Sequence, residues 1–133
     1  MKHVLYFLSI LFFLTLTSCK KDQGPIPVAE QFLEAIQEHD YDKAAEFGTK
    51  ETNKLLKQFK KIEELNGSEA TEKLNKITIL SEDIQGKKAM VYFKEEGNEN
   101  EQKITLEKVD MDGEKVWKVA MKKEEINVIG DQE

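Results

Sequence analysis

The sequence predicts an α+β protein in which N-terminal helices pack against a curved antiparallel sheet of about four strands. Three observations carry this. Apolar residues recur at helical spacing from Val28 to Leu65, the period drops to two after Lys76, and Gln85-Gly86-Lys87 and Asp112-Gly113 punctuate the second half as turns. Helices that all precede the strands are laid on one face of the sheet rather than alternating with it.

In chain order, Pro27 can open a first helix over about 27–38, because its fixed φ suits the first turn and its missing N–H is not needed there. Val28, Phe32, Ala35 and Ile36 share one face of it, with Glu30, Gln31, Glu34 and Gln37 on the other. Asp40 is suited to cap a second, short helix, with Asp42 near its positive end. Tyr41, Ala44, Ala45 and Phe47 supply its apolar side before Gly48 and Thr49 interrupt the pattern. Thr49 or Thr52 caps a third helix, where Leu55, Leu56, Phe59, Ile62 and Leu65 recur until Asn66-Gly67 stops the run. Its lysine-glutamate run from Lys54 to Glu64 reads as a solvated face with local ion pairs. Ser68 to Asn75 is ambiguous; Ser68, Glu69 and Ala70 can start one more turn, with Leu74 facing inward.

The strands follow. Ile77 and Ile79 alternate with Thr78, and the segment runs on to Ile84. Next, Ala89, Val91 and Phe93 share one face and Met90 and Tyr92 the other, so both faces are partly apolar and the second can cover a pocket or a partner. Beyond a polar loop from Glu95 to Asn100, Ile104 and Leu106 point one way, whereas Val109 and Met111 fall in the opposite phase. A bulge near Lys108 would reconcile them. Asp112-Gly113 then turns into Val116 to Met121, where Trp117, Val119 and Met121 align. Lysines along the strands, among them Lys87, Lys88, Lys94, Lys103 and Lys118, blunt sheet edges.

Composition narrows the function classes. The chain has 26 acidic residues against 20 basic ones, for a net charge of −6, and it contains no arginine. An acidic chain lacking that fork-shaped donor is a poor partner for nucleic acid, whose phosphates reward a basic face. Cys19 is the only cysteine, so no intramolecular disulfide can form and stability must come from packing. Charged residues are 35% of the chain, yet the apolar ones are patterned, which favours a folded domain over a disordered tail.

Ahead of the domain, Lys2 and His3 precede a thirteen-residue apolar run from Val4 to Leu16, closed by Leu16-Thr17-Ser18-Cys19. That run is too short for an ordinary spanning helix, which takes about 20 residues, but it suits an export signal. The segment resembles a bacterial lipoprotein signal with its lipobox. The resemblance implies cleavage before Cys19 and lipid on its sulfur, palmitate being one acyl group expected, and a protein tethered outside the cytosol. Removal of residues 1–18 takes away one lysine and no acid, so the mature charge becomes −7. The outer membrane is the expected site, with the leaflet open, since Lys21-Asp22 only partly matches a surface-export string. The chain thus divides into a signal peptide at 1–18, a lipidated cysteine and linker at 19–27, one domain at 28–128 and a flexible tail at 129–133.

Val28-Ala29-Glu30-Gln31-Phe32-Leu33-Glu34-Ala35-Ile36, Asp40-Tyr41-Asp42-Lys43-Ala44 and Asp112-Gly113-Glu114-Lys115-Val116-Trp117-Lys118-Val119 resemble the small cystatin-like domain of the nuclear transport factor 2-like superfamily. More narrowly, they resemble bacterial lipoproteins classed as lumazine-binding-like. The resemblance implies a sheet curled into a cone around the first helix. It also implies a strand between the second and third helices, for which there is little room near Gly48. Since such cones often enclose a ligand, Phe32, Tyr41, Tyr92, Phe93 and Trp117 are candidates to line a pocket. The competing reading is that Phe32, Phe93 and Trp117 fill the core.

Catalytic signatures are scarce. His39 is the only histidine after the signal and can act as a general base beside Asp40 or Tyr41, or simply sit at the negative end of the first helix. Asp110, Asp112 and Glu114 flank Gly113 too early for a calcium loop, and no Cys/His cluster or phosphate loop is present. Neither metal nor cofactor is expected. The sequence therefore predicts a non-enzymatic envelope lipoprotein that binds a small ligand or an envelope protein. The alternatives are a pocket enzyme using His39 and a structural or assembly factor of the envelope.

Overall fold

The structure, a computed structural model, describes residues 23–67 and 74–123. The signal, Cys19, the turn considered at Ser68 to Ala70 and the tail lie outside the described residues.

Three helices, α1 (Pro25–Gln37), α2 (Tyr41–Ala45) and α3 (Lys50–Asn66), precede four strands, β1 (Ile77–Gln85), β2 (Lys88–Glu95), β3 (Gln102–Met111) and β4 (Glu114–Val119). The strands form an open antiparallel sheet in the order β1-β2-β3-β4. Helix α1 contacts all four.

Helix α1 begins two residues before the expected position, with Gly24 as its N-cap. Pro25 and Pro27 both fall in the first turn, where no backbone N–H has an intrahelical partner to lose. Residues 25–27 therefore belong to the helix and not to the linker. At the other end His39 takes a left-handed φ of 57°. Its N–H bonds the Ile36 carbonyl at 3.0 Å and the Asp40 N–H bonds the Ala35 carbonyl at 2.9 Å. This pair of bonds closes the helix in the manner usually reserved for glycine.

The expected caps form. The Asp40 side chain accepts from the Lys43 N–H at 3.0 Å and starts α2. Thr49, rather than Thr52, caps α3 by accepting from the Thr52 N–H at 3.2 Å, and Gly67 ends it with a φ of 62°.

The core lies between α1 and the sheet: Val28, Ala29, Phe32, Leu33 and Ala35 meet Ala89, Val91, Phe93, Ile104, Leu106, Trp117 and Val119. Burying one large apolar side chain stabilises the fold by about 1.5–3 kcal/mol, so this layer dominates the stability. Helix α3 packs mainly on α2 and buries only Thr52 and Leu56. Thr52 fixes α3 to the sheet through hydrogen bonds. Its hydroxyl donates to the Val119 carbonyl at 2.8 Å and accepts from the Met121 N–H at 2.9 Å.

The strand implied between α2 and α3 is reduced to a single parallel bridge, Gly48 to Val119. The Thr49 N–H bonds the Val119 carbonyl at 2.9 Å, and the Val119 N–H bonds the Phe47 carbonyl at 2.7 Å. A Cβ at Gly48 would lie 2.5 Å from Asn53 Oδ1 and 3.0 Å from Thr52 Cγ2, so any other residue there would displace one or both side chains.

Two strand expectations need correction. Strand β3 pairs with β4 without interruption from Leu106 to Met111, so no bulge occurs at Lys108. Val109 instead pairs with Val116 on the face away from α1, and Met111, in the same phase, is half-exposed. Lys108 keeps the core-side phase and covers the Trp117 ring, its Nζ 5.3 Å from the ring centroid. The register shift lies in β1, between Ile79 and Ser81, where Leu80 is the extra residue. Leu74, expected to face inward, is also half-exposed.

Candidate functional site

The cluster with the most chemistry joins the end of α1, the start of α2 and the second half of α3. The left-handed turn at His39 aims its ring across at Glu63, with Nδ1 2.7 Å from Glu63 Oε1. Tyr41, one residue past the Asp40 cap, stacks on Phe59 of α3, with ring centroids 6.5 Å apart and planes at 25°. It also meets His39 edge-on, centroids 6.2 Å apart at 88°.

When Glu63 is a carboxylate, His39 Nδ1 carries its proton and donates to it. The Tyr41 hydroxyl lies 3.5 Å from the same nitrogen, so its better acceptor is Glu63. Burial, then the hydrogen bond to Glu63 and that residue's charge, push the Tyr41 phenol up to about 12. A histidine oriented through Nδ1 by a carboxylate leaves Nε2 as the free nitrogen, the arrangement a general base requires. The same contacts also offset the cost of a non-glycine residue in the left-handed region, about 1–2 kcal/mol.

Sequence reasoning gave His39 the neighbours Asp40 and Tyr41 and missed Glu63. Asp40 is engaged as the α2 cap. A signal for Glu63 was present, because Thr52, Leu56, Phe59 and Glu63 recur at helical spacing. A carboxylate on the inward stripe of a helix needs a partner.

The five candidate pocket residues do not converge. Phe32, Phe93 and Trp117, exposed by 1%, 2% and 6%, belong to one buried cluster. Tyr41 packs at its edge, between α1 and α3. Tyr92 points to the opposite face of the sheet from Phe93, beside Met90, whose sulfur its hydroxyl approaches at 3.8 Å. Cys19 lies outside the described residues.

The acidic turn has a local explanation. Asp110 Oδ1 accepts from the Gly113 N–H at 3.1 Å, while Asp112 and Gly113 take φ of 55° and 85°, as a tight hairpin requires. Among the described residues no group of three or more His, Cys, Asp or Glu side chains is placed to hold a metal ion. Nor is any described helix long and apolar enough to cross a membrane.

The ion pairs expected within α3 are also absent among the described residues. Lys60 instead reaches Asp42 of α2 at 2.6 Å, as Glu63 reaches His39. The helices followed by a four-stranded antiparallel sheet are compatible with a cystatin-like α+β fold. Comparison with models of known families, with curated proteins and with solved structures finds no match to the chain.

Proposed function

We propose that this chain is an envelope lipoprotein, held outside the cytosol by acyl chains on Cys19, whose domain binds a small ligand or a protein rather than turning over substrate. In this reading the domain is a reduced member of the nuclear transport factor 2-like superfamily, and the anchoring bilayer is a bacterial outer membrane. The observation that carries the proposal is Leu16-Thr17-Ser18-Cys19 closing a short apolar run only six residues before α1. Six residues span at most about 20 Å, so such an anchor holds the domain against the membrane surface. The burial of Phe32, Phe93 and Trp117 in one cluster supports binding at a surface over chemistry in an enclosed cavity.

Mass spectrometry of the mature N-terminus is expected to show an acylated cysteine, and Cys19→Ala is expected to release the protein from membranes. A bare thiol, or unchanged membrane attachment of Cys19→Ala, would end the proposal. Thermal-shift screening and capture from membranes then test binding.

One observation favours a second reading, an enzyme using His39, namely the Glu63 carboxylate on its Nδ1. That reading expects His39→Ala and Glu63→Gln to fold yet lose a turnover seen in the parent. Equal turnover in all three removes it.

A further inference from the structure

Helix α3 carries a face that the fold leaves exposed. Lys50, Lys54, Lys57 and Lys61 are exposed and recur every three or four residues, so they form one stripe along the helix. Beside them Ile62 and Leu65 are 54% and 85% exposed. Residues 50–61 hold five lysines against one acid, Glu51, in a chain of net charge −6, so the remainder is more acidic still. Glu51 and Glu64 border the stripe. Of the five lysines, only Lys60, which lies off the stripe, is held in an ion pair among the described residues.

We propose that this face of α3 docks on an anionic phospholipid surface, with the lysines at the level of the phosphates and Ile62 and Leu65 entering the acyl boundary. The inference rests on the lipid-anchor reading, which brings the domain to a bilayer. A lysine stripe beside exposed aliphatic residues is the chemistry of a helix lying in the interface. The same anionic surface repels the acidic remainder of the chain, so electrostatics selects the orientation with α3 facing down.

The tether allows that orientation. It limits the height of the α1 N-terminus to about 20 Å, and α1 itself is about 20 Å long. His39, at the far end of α1, touches Glu63, the neighbour of Ile62. An acidic protein would satisfy the lysines equally well, but the bilayer is the partner that the anchor supplies.

The test uses the mature lipidated protein, in which acylation of Cys19 leaves no free thiol, so that Leu65→Cys provides a single site for a polarity-sensitive fluorophore. Glu99→Cys, on the loop between β2 and β3, is the control. On vesicles of phosphatidylcholine mixed with phosphatidylglycerol, the residue 65 probe is expected to shift to the blue and be quenched by lipid-borne quenchers. The Glu99 position and vesicles of phosphatidylcholine alone are expected to show neither. Each lysine near an anionic surface strengthens contact about fivefold. Replacing Lys54, Lys57 and Lys61 together by Gln is therefore expected to lower the ratio of docked to undocked protein on the order of a hundredfold, with an unchanged melting temperature.

An unshifted residue 65 probe, an equal shift at residue 99 or on neutral vesicles, or a probe already shielded before vesicles are added would overturn the docking while leaving the anchor intact. Label taken up by the unsubstituted protein would overturn the anchor, and the docking with it.

Discussion

Helices α1 and α3 are both amphipathic, yet the molecule uses them in opposite ways. In α1 the apolar stripe meets the sheet, and Pro25, Val28, Ala29, Phe32, Leu33 and Ala35 are buried. The longer α3 buries only Thr52 and Leu56, and its attachment becomes polar at both ends, through Thr52 to Val119 and Met121 and through Glu63 to His39. An apolar stripe therefore says that a helix needs a partner and not which partner it has. In α1 the partner is the protein's own sheet; in α3 part of the stripe faces outward.

The comparison breaks most readily at Phe32. Phe32→Ala is expected to cost about 3–5 kcal/mol, while Leu65→Ala changes stability by less than about 0.5 kcal/mol, both read from denaturant midpoints at constant m. Similar costs at the two positions would mean that α3 is as much part of the core as α1.

Next in size is the polar attachment of α3. Thr52→Val keeps the shape of the side chain but leaves the Met121 N–H without its acceptor and removes one of the two donors to the Val119 carbonyl, which keeps the Thr49 N–H. The expected loss is about 1–3 kcal/mol. Hydrogen exchange at Met121 should accelerate in step, which separates a broken attachment from a general loss of packing.

His39 gives a smaller effect. His39→Gly relieves the left-handed backbone but gives up the contact with Glu63, whereas His39→Ala gives up the contact and keeps the strain. Glycine is expected to be the more stable variant by about 1 kcal/mol in thermal melts. Equal melts would mean that the backbone at this turn carries no strain.

The smallest effect is confined to alkaline pH. Because the folded state raises the Tyr41 phenol from 10.0 to about 12, it favours the protonated form. That contribution is complete below pH 10 and is lost as pH rises through about 12. Over this window the parent should lose stability faster than Tyr41→Phe, in which nothing at position 41 titrates. Parallel curves would mean that neither burial nor Glu63 raises the Tyr41 phenol.

Much of the fold was legible because its signals are local. Asp40, Thr49, Gly67 and Asp112-Gly113 act within three or four residues of themselves, and each behaves as its type and position suggest. The alternation through Ala89, Val91 and Phe93 likewise needs no knowledge of what covers it. Helix α1 starts two residues earlier than expected because Pro25, like Pro27, fits a first turn in which no backbone N–H is needed. No bulge is needed at Lys108 because Val109 and Met111 keep the alternation of β3 and so fall on the face away from α1.

Chain order, most of the caps and the change of period after Lys76 were thus readable from the sequence, since each depends on interactions between near neighbours along the backbone; the choice of Thr49 over Thr52 and the place of the register shift were not. Tertiary structure decided what Glu63 and Thr52 do and which part of α3 stays in water. Those outcomes depend on groups brought together from positions 24 or more residues apart, such as His39 with Glu63 and Thr52 with Val119. Only the folded chain sets which of two apolar stripes receives the single helix-covering face of the sheet.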